Sequence, residues 1–590
     1  MNIYETVIEE KNAYLKPINI LEGWDWGMRD HLRKSTLYKN SQFEVQNDKR
    51  DKRPFKNIVR PILNIQYRTE GFDVKDIEIY VNNPETYYKS FLVKKFHDKW
   101  ALDNEIDSFI DEVVGSYVDY GGVLVKNVNG AKPEVVNLLT LAFCDQTDIL
   151  SGSFAIRHYF SPEQLRDMAD KGWGDSKKGA TMGIETLIEI ASKQKENDKI
   201  KNQTPSKYIE LYEVHGTFPD DFLNRENKEE GKYTPQIHIV AFYKNEQDQD
   251  IGVSLFSARE PDLPFKFLAR DKVHGRALGF GGIEELFEAQ VWTNYSEIQI
   301  REMLELASKT FYKTTDPRFK TRNNLVNAEN GQVFDLAQNT DIGQIDTAPR
   351  NLVVFTNALD RWNEHARIMG AASELFLGEQ PTAGTPFKSV EAQLIEGKSL
   401  HQWRQGKIAV FMDEIYRDWI LPYISKEIAK GQKFLTELSA DELQEVSRQV
   451  VINQTNDFIK ERILEGEIIS EEEMGAFKQT AQEQFVAKGR KRFIDMLKEE
   501  FKDEPLDIRV NIAGKQKNLA LLTDRVVNVL RQFIATPQIR QDPEMIRLLN
   551  VILESSGMSP IIFGAMPSSM QIEGGPSQPL QEFAKTAVPA

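Results

Sequence analysis

The Gly397-Lys398-Ser399 tripeptide is the nearest the chain comes to a catalytic motif. It would close a phosphate-binding loop if residue 392 were glycine, but that residue is Ala392. Such a loop also needs a strand before it, so that backbone N–H groups converge on the phosphates where a helix opens at the Lys-Ser pair. Here Val390 to Ile395 carry helical signals behind a capping Ser389, which predicts that the tripeptide lies inside a helix. Gly275, Gly279, Gly281 and Gly282 lack the spacing of a dinucleotide fingerprint, and no Val/Ile strand runs into them. They read as a flexible hinge ahead of a long helix.

Other reactive residue types are scarce or unpatterned. The single cysteine, Cys144, excludes a disulfide framework and a cysteine-based zinc site within one chain, and reads as a small apolar filler between Phe143 and Asp145. The eight histidines (His31, His97, His158, His215, His238, His274, His365 and His401) never fall three to five residues apart, so no helical metal pair exists. Carboxylates abound, yet no sequence rule singles out a pair for acid–base work. No enzymatic activity, metal or cofactor is therefore expected. Local cations remain: Lys313, Arg318, Lys320 and Arg322 beside Pro317, Lys388 in a Gly/Pro/Thr segment, and the run from Lys49 to Lys56. Each is equally consistent with a solvated surface charge.

The elements that carry these residues follow from periodicity. Ile283, Phe287, Val291, Tyr295, Ile298, Leu304, Ala307 and Phe311 recur at three- and four-residue spacing, which predicts a continuous helix over 283–311, roughly 40 Å long. The insert 312–351 carries the basic residues, with Gly331 and Gly343 bracketing the apolar run Val333-Phe334-Asp335-Leu336, and reads as a small β-containing module. A second helix returns with Phe355, Leu359, Trp362, Ala366, Met369 and Phe376 on one stripe, closed by Gly378. Residues 379–388 fit no regular element, and Ser389 caps a third helix carrying Val390, Leu394, Leu400, Trp403 and Phe411. On period alone this is an αα-hairpin with an inserted module.

Length and composition bound the rest. A chain of 590 residues exceeds what one core serves, so two to four domains are expected. No stretch approaches the ~18 uninterrupted apolar residues of a membrane span. The segment Met1-Asn2-Ile3-Tyr4-Glu5-Thr6 has neither a basic nor an apolar leader region, so a soluble, non-secreted protein is expected. The net charge of −16 argues against a broad face that grips nucleic acid, though not against a passage that nucleic acid moves through.

Ahead of the hairpin the chain mixes helix and strand. Ile58, Val59, Ile62, Leu63 and Ile65 mark one helix, and 84–118 a helical region ending at Tyr120-Gly121-Gly122. Val123 to Lys126 and Val135-Val136, separated by Asn129-Gly130, read as a β-hairpin. Strands are expected at 154–157, at 208–214 and at 236–242 pairing with the latter, with 170–205 a mobile surface excursion. From Ser389 onward the chain reads as almost wholly helical, with capping boxes at Ser439/Glu442 and Ser470/Glu473 and one strand at 506–512. The fold class is thus α+β, predominantly helical, and the Ser/Pro/Gly tail from Gly557 reads as mobile.

The order of these parts resembles the portal, or head-to-tail connector, protein of tailed double-stranded DNA bacteriophages. The segment Arg276-Ala277-Leu278-Gly279-Phe280-Gly281-Gly282-Ile283-Glu284-Glu285-Leu286 is similar to that family's lead into its stem, and Glu379 to Lys388 occupy the place of its tunnel loop. The resemblance is architectural and spans most of the chain. It implies a wing over 1–274, a glycine joint and first stem helix over 275–311, a clip over 312–351 and a second stem helix over 352–378. Beyond these lie a tunnel loop over 379–388, a helical wing or crown part over 389–505, crown strand and helices over 506–556 and a flexible tail over 557–590.

It implies further a homo-oligomeric ring of about twelve subunits around a double-stranded DNA channel. Thr382, Ala383, Gly384, Thr385, Phe387 and Lys388 would face DNA; Phe287, Val291, Tyr295, Phe355, Leu359 and Trp362 would pack the stem; Gly279, Gly281 and Gly282 would hinge it. Lys313, Arg318, Lys320 and Arg322 would meet either the DNA backbone or an acidic patch on the terminase or the head–tail adaptor. Major capsid, scaffolding and tail proteins would be further partners, no membrane would be involved, and the location would be the capsid vertex after assembly in host cytoplasm. Two other classes stay open from the residues alone: a nucleic-acid-associated ATPase built on Gly397-Lys398-Ser399, and a non-viral helical scaffold.

Overall fold

The structure, a computed structural model, describes residues 2–44, 53–81, 87–128, 132–197, 208–223, 231–244, 249–322, 333–349, 351–372, 387–429, 433–436, 451–452, 455–456, 458–460, 462, 464, 470–487, 492–495 and 506–510. It divides into two units, one of Met1–Tyr80, His97–Lys426 and Leu506–Lys515, the other of Val81–Phe96, Glu427–Pro505 and Gln516–Ala590.

The chain opens with α1 (Ile3–Tyr14), started by a reciprocal cap in which Glu5 N donates to Asn2 Oδ1 at 2.9 Å and Asn2 N to Glu5 Oε2 at 3.2 Å. The hairpin β1 (Ile18–Leu21) and β2 (Trp24–Trp26) follows, then α2 (Met28–Lys39), α3 (Val59–Glu70), β3 (Ile77–Val81), α4 (Tyr87–Asp103) and α5 (Ile106–Tyr120). Glu105, at φ +51°, separates α4 from α5 where the sequence reads as one helical region. Next come β4 (Gly122–Lys126), β5 (Glu134–Val136), β6 (Leu141–Phe143), β7 (Phe154–Phe160), α6 (Pro162–Ala169) and α7 (Ile184–Asn197), then β8 (Ile209–Pro219), β9 (Tyr233–Lys244), β10 (Asp250–Arg259) and β11 (Phe265–Ala269).

The two larger sheets described in the first unit are an antiparallel five-stranded sheet in the order β10-β9-β8-β7-β6 and a three-stranded sheet in the order β11-β4-β5. The expected pairs are present: Leu124 faces Val136 across β4–β5, and Leu211 faces Ala241 across β8–β9. The Asn129-Gly130 turn lies outside the described residues. Alternation along the strands builds a core on each face of the larger sheet. Tyr212, Val214 and Val240 join Val7, Met28, Leu32, Phe143 and Phe154 on the side of α1 and α2. Ile209, Leu211, Ile239 and Ala241 join Leu165, Ile184, Leu187 and Ile188 on the side of α6 and α7. Residues 170–205 are thus not a surface excursion in their described part. The polar composition of that stretch hid an amphipathic helix whose apolar residues cover the sheet.

The hairpin comprises α8 (Gly282–Ala307), β12 (Phe311–Thr314), α9 (Phe319–Arg322), β13 (Ile342–Ile345) and α10 (Leu352–Met369), with α8 packed on α10. Four details differ from the sequence expectation. The first helix stops at Ala307 and Phe311 enters a strand, because β12 pairs with β13 through Phe311–Ile345 to Thr314–Ile342. The run Val333–Leu336 is irregular, with Val333 90% exposed, so the partner strand is Ile342–Ile345 instead. The second helix ends at Met369, because Gly370 caps it and Ala371 turns left-handed at φ +48°; Phe376 and Gly378 lie outside the described residues. The third helix, α11 (Phe387–Ile415), takes Ser389 into its first turn rather than starting after it.

A π-helical turn, Tyr416–Ile420, joins α11 to α12 (Leu421–Ala429). In the second unit, β14 (Lys433–Thr436) pairs with β15 (Arg492–Asp495), strands that the helical reading of this region lacked. Between them α13 (Glu471–Ala487) starts with the expected Ser470/Glu473 box and stacks Phe477 on Phe458. The strand β16 (Leu506–Val510) pairs with β3. The Ser439/Glu442 box and the tail lie outside the described residues.

Candidate functional site

The glycines that read as a hinge sit at a close backbone crossing. Gly121 ends α5 at φ +77°, a left-handed cap open to glycine at little cost. Its carbonyl accepts from Arg270 N at 2.9 Å and from Gly279 N at 3.0 Å. A Cβ on Gly121 would collide with the Gly279 carbonyl and stand 2.7 Å from Gly281 N; one on Gly281 would lie 2.5 Å from Asp119 O, and one on Gly279 2.6 Å from Asp271 O. Gly279, Gly281 and Gly282 are therefore buried where three backbones cross in contact. The missing Cβ atoms allow this close approach.

Beneath this crossing lies a buried charge cluster that the sequence did not single out. Glu70 ends α3, Arg270 and Asp271 follow β11, Glu285 sits in the first turn of α8, and His401, Arg404 and Lys407 lie on α11 at spacings of three. Arg270 donates to both oxygens of Glu70, at 2.7 and 3.3 Å, with both side chains fully buried. His401 Nδ1 is 3.1 Å from Glu70 Oε1. Arg404 Nη2 donates to Asp271 and to Glu285, each at 2.5 Å, and Lys407 Nζ to the Arg270 carbonyl at 2.5 Å. Three cations thus offset three carboxylates.

Burial pushes the Glu70 carboxyl up, but the Arg270 charge and the contacts from His401 and Arg404 outweigh it and hold Glu70 below the ordinary range. For Glu285 burial wins, and its carboxyl sits above that range despite Arg270 and Arg404. The available sequence signal was the i, i+3, i+6 run of titratable residues on a helix that also buries Ile408, Phe411 and Met412. Chemically, the cluster ties four elements together; it holds no exposed acid or base.

The hairpin stands on the same base. Both its feet touch α3: Gly282 packs against Leu63 and Gln66, and Gly370 against Ile62, with Gln66 Nε2 donating to Gly370 O at 3.4 Å. Along α8 the buried face is partly polar. Gln290 accepts from Ile58 N at 2.9 Å and donates to Lys56 O at 2.7 Å, while Asn294 accepts from Lys56 N at 3.1 Å. This irregular strap of backbone explains why Gln290 and Asn294 are buried while Tyr295 and Leu304, expected on the packed stripe, are about half exposed. Of the other stem candidates, Phe287 is half-buried against Tyr38 at 4.6 Å, Val291 and Phe355 are half-buried, and Leu359 is buried. Trp362 lies parallel to Trp292, with centroids 6.0 Å apart.

In the inserted module Asp316 is buried and accepts from Arg318 N at 2.9 Å and Ala337 N at 3.0 Å, and Phe319 meets Phe334 at 6.1 Å. Around this small core Lys313 and Arg318 are exposed. Lys320 and Arg322 belong to α9 by backbone, and their side chains lie outside the described residues. Thr382, Ala383, Gly384 and Thr385 lie outside them altogether; Phe387 and Lys388 open α11 by backbone alone. Gly397-Lys398-Ser399 sits within α11, whose N–H groups are committed to helical bonds. Cys144 is buried beside Met28, and burial pushes its thiol up to about 12.

No protein-family model matches the sequence, and no curated protein matches it. Among solved structures, a chain from the neck of an empty gene transfer agent particle is 8% identical, covering 63% of this chain and 76% of its own length at a TM-score of 0.27. A chain of the native gene transfer agent virion is 9% identical, covering 92% of this chain and 98% of its own length at a TM-score of 0.31. At these scores the likeness defines neither a fold nor a role.

Proposed function

We propose that the chain is the subunit of a portal: a non-enzymatic ring at one capsid vertex through which double-stranded DNA is packaged, retained and ejected. The observation that carries this reading is the helical hairpin, pinned by both feet to α3 and bearing a small exposed β module at its far end. Along its two long helices Trp292, Tyr295, Leu304, Leu306, Val353, Val354 and Ile368 are each more than a third exposed in the single chain. Apolar surface of that extent marks a contact face, and a one-way contact repeated until it closes builds a ring. The net charge of −16 suits a channel that DNA slides through rather than binds.

In this reading the module with Lys313, Arg318, Lys320 and Arg322 docks the terminase large subunit during packaging and the head–tail adaptor afterwards. Major capsid and scaffolding proteins meet the body, and residues 379–388 act as a valve around DNA. Electron microscopy of the purified protein tests the reading: end-on class averages should show rings with an axial hole. Monomers or dimers alone under all assembly conditions would overturn it.

A further inference from the structure

Beyond the strap, the same face of α8 carries a groove. Gln290 and Asn294 hold the backbone at 56–58, and further toward the inserted module Pro54, Ile300 and Leu304 form the apolar lining of an open groove of about 420 Å³. Its rim is charged: Lys56 pairs with Glu297 at 2.9 Å, and Arg301 with Glu305 at 3.0 Å. At about 100° per residue these α8 positions lie about 80° to 220° around the helix from Trp292, whose ring lies along Trp362 of α10. The groove therefore opens on the flank of the hairpin turned away from α10.

The other flank belongs to α10. Leu359 is buried where α10 packs on α8, and from it Val353, Val354 and Ile368 lie about 120° to 220° around the helix, on the side turned away from α8. Val353 and Val354 are 66% and 65% exposed. β-Branched side chains are costly in a solvated helix, where they lose χ1 freedom and bury nothing in return. Their level matches the groove. The Trp292 and Trp362 rings are parallel at 6.0 Å, and from that level Val354 and Val353 lie eight and nine residues away along α10, Ile300 and Arg301 eight and nine along α8. Both pairs thus stand about 12 to 14 Å nearer the module. Charge agrees as well: exposed Arg361, on the same outer flank of α10, stands about one turn below the level of Glu297.

We propose that Val353 and Val354 of one copy fill the α8 groove of the next, with Arg361 reaching its Glu297. The contact rests on the ring reading above and names where neighbouring copies meet. Rotation about a ring axis that runs along the hairpin leaves height unchanged, so groove and valines must stand level, as they do. The two surfaces lie on opposite flanks of one hairpin. Each contact therefore leaves one groove and one valine pair open for a further copy, which is what a closing ring requires.

Oxidative cross-linking of the assembled full-length protein tests the contact. Leu304→Cys with Val353→Cys in one chain should give a ladder of covalent oligomers on a non-reducing gel, and either cysteine variant alone should stay monomeric. On opposite flanks of two helices packed about 8 to 10 Å apart axis to axis, the two sites of one chain lie beyond the roughly 7 Å Cα limit of a disulfide. Val353→Asp, at the second position of α10 where a carboxylate favours the helix, should fold and should raise the concentration needed for rings about tenfold or more. Rings without the ladder, a dimer from either single-cysteine variant, or Val353→Asp rings at an unchanged concentration overturn this contact and leave the ring reading standing. Absence of rings from the wild type overturns both. If the double-cysteine chain does not assemble, Ile300→Cys with Val354→Cys and the Val353→Asp titration decide.

Discussion

Replacing Glu70 by leucine removes one carboxylate from a cluster whose charges otherwise balance. Arg270, with both side chains of the pair at 0% exposure, and Arg404, at 3%, would then share Asp271 and Glu285 with Lys407, leaving one buried positive charge uncompensated. Because solvent does not screen the pair, the cost is that of breaking a buried ion pair, about 3 to 5 kcal/mol. At 1.36 kcal/mol per factor of ten, protection from hydrogen exchange in α3 and the middle of α11 should fall by about 160- to 4,700-fold. Adding Arg270→Met should restore most of that loss, since an apolar pair of similar volume is often neutral or better. Glu70, held below the ordinary carboxylate range, contributes stability that is present above its unfolded value and lost as pH falls through its folded one. The Glu70→Leu profile should therefore lose that part of the acid dependence. A loss of protection under about tenfold, or a double variant weaker than the single one, would refute the reasoning.

Gly121→Ala should cost about 2 to 5 kcal/mol, from a left-handed backbone and from Cβ overlap with Gly279 and Gly281, read as lost protection at the start of α8. His238, which burial and the His215 charge lower to about 4, should contribute about 3 kcal/mol that is present above its unfolded value near 6.5 and lost as pH falls toward 4. His238→Gln should flatten that part of an acid unfolding curve. Trp292→Ala should loosen α8 from α10 by about 1 kcal/mol, because its ring lies along Trp362 yet is 43% exposed; exchange across both helices measures it.

What was legible in the sequence was period. The α8–α10 pair, the β module between them, the β4–β5 and β8–β9 pairs and the helical setting of Gly397-Lys398-Ser399 follow from local spacing. What was hidden depends on long-range pairing. Gln290 and Asn294 look like surface residues until the backbone at 56–58 is laid along them, and Glu70 and Arg270 stand 200 positions apart. The glycine cluster was visible, but an identical spacing serves a hinge and a tight crossing; only Gly121, brought beside it by the fold, separates the two. The packing of α7 against the sheet was hidden because charged residues outnumber the few apolar ones that it buries.

The pinned feet of the hairpin make it a lever. With 26 residues, α8 is about 39 Å long, while Gly282 and Gly370 rest on neighbouring turns of α3. Because the backbone at 56–58 also holds Gln290 and Asn294, the arm free to tilt is the part of α8 beyond Asn294, about 20 Å, and a tilt of about 5° there carries the distal module through about 2 Å. Ile62, Leu63 and Gln66 at its feet and the backbone of Lys56 and Ile58 along its side, all far from the module in sequence, thereby bear on the angle at which Lys313 and Arg318 are presented.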